Sequence, residues 1–196
     1  MYKLCKTEQS VKRQREIEQI LFDIMKVKRY EDITITEICE TLKMPRKAFY
    51  RYFDSKDDAV HALIEHKMME YEGFSQKNTG ANITIKKEIE NFFLFWYKNR
   101  DMIEVLDKNE LLSMLFMKAL SFPIKDFISI SKYLPNDSDW AKDRIFEFAV
   151  CGLMFEAMSW YREGFKTNVS DIVDVSFRIL SQPLFPNLSK YGTLNR

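Results

Sequence analysis

Glycine and proline are scarce in this chain, five of each in 196 residues, where a fold of many short strands and tight turns would use far more. Lys, Glu, Leu, Met and Phe are plentiful instead, so an all-α architecture is expected. Cysteine is sparse too. Cys5, Cys39 and Cys151 are odd in number and widely scattered, which resembles neither a disulfide framework nor a zinc pattern and fits a reduced, cytoplasmic setting. No apolar run reaches 18 residues; the longest approach, Ile145 to Tyr161, is broken by Glu147, Gly152 and Glu156, so no membrane span is expected. Met1 to Gln9 lacks the apolar stretch of a signal peptide. Net charge is nearly absent, 30 basic against 29 acidic residues, so any footprint for a polyanion has to be local.

Catalytic signatures are missing as well. There is no Gly-rich phosphate loop, no Gly-x-Ser-x-Gly and no paired carboxylate spacing, so neither a catalytic residue nor a cofactor is expected and the chain reads as a non-enzyme. The two histidines, His61 and His66, stand five apart rather than four, which separates them around a helix and argues against a metal site.

What is present is helical periodicity. Ile17, Ile20, Leu21 and Ile24 share one face of a helix at about 10–28. Thr34-Ile35-Thr36-Glu37 reads as a capping box, with the Thr34 hydroxyl accepting from the Glu37 amide and the Glu37 carboxylate reaching back, and Ile35, Ile38, Cys39 and Leu42 continue the apolar stripe. Pro45 suits the first turn of a second short helix running through Phe53, in which Phe49, Tyr52 and Phe53 face inward. Ser55 is the expected N-cap of a longer helix at 56–74 with Val60, Leu63, Ile64 and Met68 inward. The polar stretch 75–82 reads as a linker. Further helices are expected at 84–98, 101–106, 108–132 with a break near Pro123, 140–163 ended by Gly164, and 169–181 stopped by Pro183 and Pro186. The expected domains are therefore 10–56, joined by the helix 56–74 to a helical region at 75–185, with a tail at 186–196.

Between Lys43 and Lys56 lie five cations, Lys43, Arg46, Lys47, Arg51 and Lys56, against Asp54 alone, a local charge of +4 in a nearly neutral chain. Two short helices with an exposed basic second member form the geometry that enters the major groove of DNA. Arg46, Lys47 and Tyr50 point outward in this arrangement, and Lys56, just past the cap, is placed to hold a phosphate.

The string from Leu42 to Asp58, with its Tyr50-Arg51-Tyr52-Phe53-Asp54-Ser55-Lys56 core, resembles the DNA-binding domain of the TetR family of bacterial regulators, and the resemblance extends upstream over about 10–60. It implies that Thr36, Arg46, Lys47 and Ala48 approach base edges, while Tyr50, Arg51, Tyr52 and Lys56 hold the backbone of a double-stranded operator. Two positions depart from the family pattern: Lys43 stands where many relatives have Gly, and Pro45 where Ser is frequent.

Beyond residue 75 the resemblance is one of helix layout, with Gly152, Trp160, Gly164 and the last helix similar to the dimerisation helices of many members. It implies a homodimer through 140–163 and 169–181. Aromatic residues crowd this half, and the helix at 140–163 is apolar almost all round, which calls for partners on several sides. Cys151 is expected to be a buried small side chain. Phe92, Phe93, Trp96, Met114, Met117, Phe155 and Met158 form the candidate lining for a small apolar or aromatic effector. The function expected is a ligand-responsive, dimeric repressor of transcription on a palindromic site. The alternatives are a co-regulator or protein-interaction module of the same fold without its own effector, and an architectural DNA binder.

Overall fold

The computed structural model describes residues 5–79, 84–121 and 138–182, and the α-helix dominates them. In order these are α1 (Glu8–Met25), a 3-10 turn (Tyr30–Asp32), α2 (Ile35–Thr41), α3 (Arg46–Phe49), α4 (Lys56–Thr79), α5 (Ile85–Lys98), α6 (Arg100–Lys108), α7 (Leu112–Ser121), α8 (Asp139–Arg162) and α9 (Val169–Ser181). The all-α class expected from the scarcity of turn residues is what the chain adopts. No helix among the described residues is long and apolar enough to cross a membrane. The expected break near Pro123, the rest of the 108–132 helix and the tail lie outside the described residues.

The chain divides into two compact units. One holds residues up to Phe74 together with 99–123, and the other holds 75–98 together with the chain from 124. In the first, α1 packs on α2 and α2 on α3. Ile17 and Leu21 of α1, Ile38 of α2, Phe49 of α3, and Val60 and Ile64 of α4 are all fully buried, as are Ile103, Leu106 and Leu115 of α6 and α7. Helix α1 starts at its cap, where the Thr7 hydroxyl accepts from the Ser10 amide at 3.4 Å.

One buried polar pair in this unit has no counterpart in the helical pattern: His66 Nδ1 lies 2.9 Å from Glu18 Oε2, joining α4 to α1 across 48 residues of sequence. His66 is therefore a core histidine with a carboxyl partner.

Helix α4 runs to Thr79, which corrects the expectation of a linker beginning at Ser75. Gln and Lys are good helix residues and Ser, Asn and Thr weaker but tolerable ones, and the Ser75 hydroxyl donates to Glu88 Oε1 and Oε2 at 2.6 and 2.8 Å. A tertiary bond outweighs weak local propensity here.

In the second unit α5 packs against α9 and α8. Its core is aromatic: Trp160 stands edge-on to Phe93 and Phe165 and stacks on Tyr97 with centroids 5.4 Å apart. The Trp160 indole N–H donates to the Thr167 carbonyl at 2.8 Å, so the ring closes the turn after α8. That turn passes through Gly164 and Phe165, both left-handed, with φ of 71° and 57°. Cys151 is exposed, which corrects the expectation of a buried thiol. The reason is the all-round apolar character of α8, which puts Phe148, Cys151, Gly152 and Phe155 on a side left exposed among the described residues.

Candidate nucleic-acid interface

Thr34 caps α2 in extended backbone, and its hydroxyl accepts from the Glu37 amide at 3.2 Å. The other half of the expected capping box differs. Glu37 Oε2 instead accepts from the Lys28 ammonium at 2.6 Å, because a charged donor outcompetes a neutral amide. That ammonium, and after it the nearby Thr34 backbone amide, hold the Glu37 carboxyl below the usual carboxylate range.

The turn after α2 passes through Lys43 at φ 50°. The Met44 amide returns to the Cys39 carbonyl at 2.9 Å and the Lys43 amide to Glu40 at 3.0 Å, the paired bonds of a Schellman ending. This is a position where glycine is at ease, and a side chain there costs roughly 1–2 kcal/mol. Pro45 then occupies the N-cap of α3, at φ −69° and ψ 144°, one residue earlier than expected, and supplies no capping oxygen.

Helix α3 itself is a single turn, shorter than the sequence suggests, and the chain continues through Tyr52 as turns. The Tyr52 and Phe53 amides both bond the Phe49 carbonyl, at 2.9 and 3.2 Å. Phe49 and Phe53, with centroids 5.7 Å apart, are buried beneath, and Tyr52 is half-buried. Above them Arg46, Lys47, Tyr50 and Arg51 are exposed, as is Thr36 on α2, while Ala48 is half-buried. The Arg46 guanidinium donates to the Tyr50 hydroxyl at 3.3 Å, so these two candidates sit as a pair on one face. Among the described residues none of Lys43, Arg46, Lys47 and Arg51 has an acidic partner.

Lys56 does something the sequence did not reveal. Its ammonium donates to the carbonyls of Tyr30, Ile33 and Glu31 at 2.6, 3.0 and 3.1 Å and sits 4.4 Å from the Tyr30 ring centre. Those three acceptors match the three N–H groups of an ammonium, leaving none for a phosphate in this arrangement. The Tyr30 hydroxyl donates to Asp57, and burial, followed by that carboxylate, pushes the phenol well above its ordinary range. The Tyr30 amide donates to Asn109 Oδ1 at 2.6 Å, and Asn109 Nδ2 bonds the Met25 and Val105 carbonyls. The 3-10 turn thus ties α1, α4 and α6 together behind the exposed basic face. Sequence reasoning missed Tyr30 and Asn109, since bonds spanning 27 and 79 residues leave no periodic trace. At the start of α4 the Ser55 hydroxyl accepts from the Asp58 amide at 3.1 Å, the cap the sequence predicts.

The candidate effector residues are dispersed. Phe93, Trp96 and Met158 are buried in the second unit and Phe92 is half-buried, whereas Phe155 is 65% exposed. Met114 and Met117 stand on α7 in the first unit, Met117 being 67% exposed.

No family model and no curated protein matches the chain. Among solved structures it is similar to the fatty acid degradation regulator FadR of Bacillus halodurans, with a TM-score of 0.61 and 13% identity over 92% of this chain and 98% of that one. It is also similar to a Clostridium perfringens protein described as a fatty acid metabolism regulator, with a TM-score of 0.52 and 16% identity over 84% of this chain and 96% of that one. At such identities the likeness is one of fold, an all-helical architecture.

Proposed function

We propose that the chain is a ligand-responsive DNA-binding regulator, a repressor that acts as a homodimer on a palindromic operator. One observation carries this: a basic face of Arg46, Lys47 and Arg51, free of acidic partners among the described residues, stands on a helix-turn-helix whose apolar side is sealed by Phe49 and Phe53. Unneutralised cations on a rigid, groove-sized element suit a polyanion. Arg46 and Lys47 read bases, with Thr36 and Ala48 beside them; Tyr50, Arg51 and Tyr52 hold phosphates. Lys56 serves by fixing the 3-10 turn behind the interface.

The homodimer is supported by the uncovered face of α8 and α9, where Phe148, Phe155, Val175, Ile179 and Leu180 are exposed. A palindromic operator offers two half-sites about 34 Å apart, one for the α3 helix of each copy. The fold neighbours, both named for fatty acid metabolism, support a small molecule as the signal. Such a molecule binds one disposition of the heads better than another and shifts the population between them.

The test is selection of bound sequences from a random duplex library by the purified chain, followed by titration of the selected site at several salt concentrations. A palindromic site and a steep salt dependence are expected, and Arg46→Ala should weaken the selected site by about tenfold to a hundredfold while sparing non-specific binding. A pure dimer that enriches no sequence would overturn the reading in favour of a co-regulator acting through a partner protein.

A further inference from the structure

Among the described residues three side chains other than glycine stand on left-handed backbone, those of Lys43, Glu110 and Phe165. In that conformation Cβ crowds the following carbonyl, so each needs a reason to be there. Phe165 has one in its ring, which packs edge-on against Tyr97 and Trp160 with centroids 5.2 and 4.9 Å away. Lys43 has no such packing. The bonds that close its turn are all backbone, the Lys43 amide to the Glu40 carbonyl at 3.0 Å and the Met44 amide to that of Cys39 at 2.9 Å, and glycine would close them without strain. The Lys43 side chain is exposed and, among the described residues, forms no ion pair. Glu110 is exposed in the same way, but its charge has the wrong sign for a polyanion. A lysine that costs stability and adds no contact to the fold is a candidate for a contact outside it.

Place and charge identify that contact. Lys43 comes just before Pro45, the N-cap of α3, and one turn before Arg46. In a helix-turn-helix the first helix crosses the DNA backbone and the N-terminal end of the second enters the groove, so the turn joining them passes along the phosphates at the groove edge. Here that turn is fixed by its paired backbone bonds and by the buried Phe49 that follows, which holds the root of the lysine in place. A flexible stem ending in a point charge suits a phosphate oxygen. Lys56, which the sequence placed at a phosphate, has its three N–H groups on the carbonyls of Tyr30, Glu31 and Ile33. We propose that Lys43 makes the phosphate contact that Lys56 does not: its ammonium grips an operator phosphate beside the entry of α3 and sets the depth at which Arg46 and Lys47 meet the bases. This rests on the reading of the chain as a DNA-binding regulator and adds a residue to its interface. Phosphates recur whatever the sequence, so the contact strengthens binding to every duplex alike.

The experiment titrates the full chain, as wild type, Lys43→Gly, Lys43→Gln and Lys43→Arg, with the selected duplex and with an unrelated duplex over a range of salt, and melts each protein without DNA. Lys43→Gly should melt about 2–4 °C above wild type, yet bind both duplexes about tenfold more weakly per protomer at about 0.1 M salt, with a salt slope smaller by about 0.9 per protomer. A fold that is more stable and binds less well is not a misfolded one. Lys43→Gln keeps the strain and loses the charge, so it should melt near wild type and lose the same affinity, while Lys43→Arg should retain binding. Unchanged binding by Lys43→Gly overturns the proposal and leaves the regulator standing. So does a loss that Lys43→Gln does not share, which assigns the effect to flexibility of the turn. A loss confined to the selected duplex makes Lys43 a base contact, and melting of Lys43→Gly below wild type gives its side chain a part in the fold; each overturns the phosphate role. If wild type binds neither duplex, the regulator reading falls and the proposal falls with it.

Discussion

Around α3 the first unit turns Arg46, Lys47, Tyr50 and Arg51 to solvent and seals Phe49 and Phe53 beneath them. The second unit reverses that order, leaving Phe148 72% and Phe155 65% exposed on α8 while α5 encloses Asn91 without a hydrogen-bond partner among the described residues. In the first unit Lys56, Tyr30 and Asn109 find partners within the chain at long range, while Glu18 Oε1 is buried without a hydrogen-bond partner among the described residues. Exposed charge without acidic neighbours points to a charged partner, and exposed aromatic surface points to an apolar one. Both units are incomplete, and the chemistry of what each lacks differs.

The comparison breaks most visibly at the apolar face. Phe148→Glu combined with Phe155→Glu should weaken self-association by well over a hundredfold in sedimentation equilibrium, since four buried aromatic side chains per dimer are replaced by charge. The helical circular dichroism of the chain should change little. An unchanged association constant would place the dimer contact elsewhere.

In the first unit the largest stability effect belongs to Lys56. Lys56→Met removes a charged donor from three carbonyls and should lower stability by about 1.5–3 kcal/mol in denaturant unfolding, with increased amide exchange in the 3-10 turn. A silent substitution would mean that the turn is held by Asn109 and Asp57 without it. A smaller change of opposite sign is expected at the turn, where Lys43→Gly relieves the left-handed strain and should stabilise by about 1 kcal/mol.

The smallest effect is electrostatic. The carboxyl of Glu37 is held low in the folded chain, so its contribution is present above the ordinary glutamate range and is lost as pH falls through the depressed value. Glu37→Gln should therefore differ from wild type in melting temperature at neutral pH and converge with it in acid, once the lowered carboxyl of the wild type is protonated. A difference that persists in acid would assign the effect to the hydrogen bonds of the side chain.

Much of the fold is legible in the residues. Thr34 and Ser55 are caps because a short hydroxyl can reach an amide three residues on, and both do so here. Phe49 and Phe53 are spaced to share a helical face, which leaves Arg46, Lys47 and Tyr50 no direction but outward. The class, the helix order and the basic candidate face all rest on such local rules. Where the local signal was weak the sequence misled: Ser75 to Thr79 look like a linker because no period runs through them, yet they extend α4.

Two further residues mark the boundary between local and tertiary information. Cys151 lies in an apolar run, and the run alone does not say which of its sides the chain covers. Lys56 looks like a free cation beside a helix start, and its carbonyl acceptors lie 23 to 26 residues away. By itself the sequence determined the helices, their caps and the charge they carry, since capping and periodicity act over three or four residues. Only the tertiary structure decided where Lys56 ends up and, among the described residues, which face of α8 is exposed and that Asn91 is buried without a hydrogen-bond partner. Burial and pairing depend on neighbours brought together by folding, and no spacing along the chain encodes them.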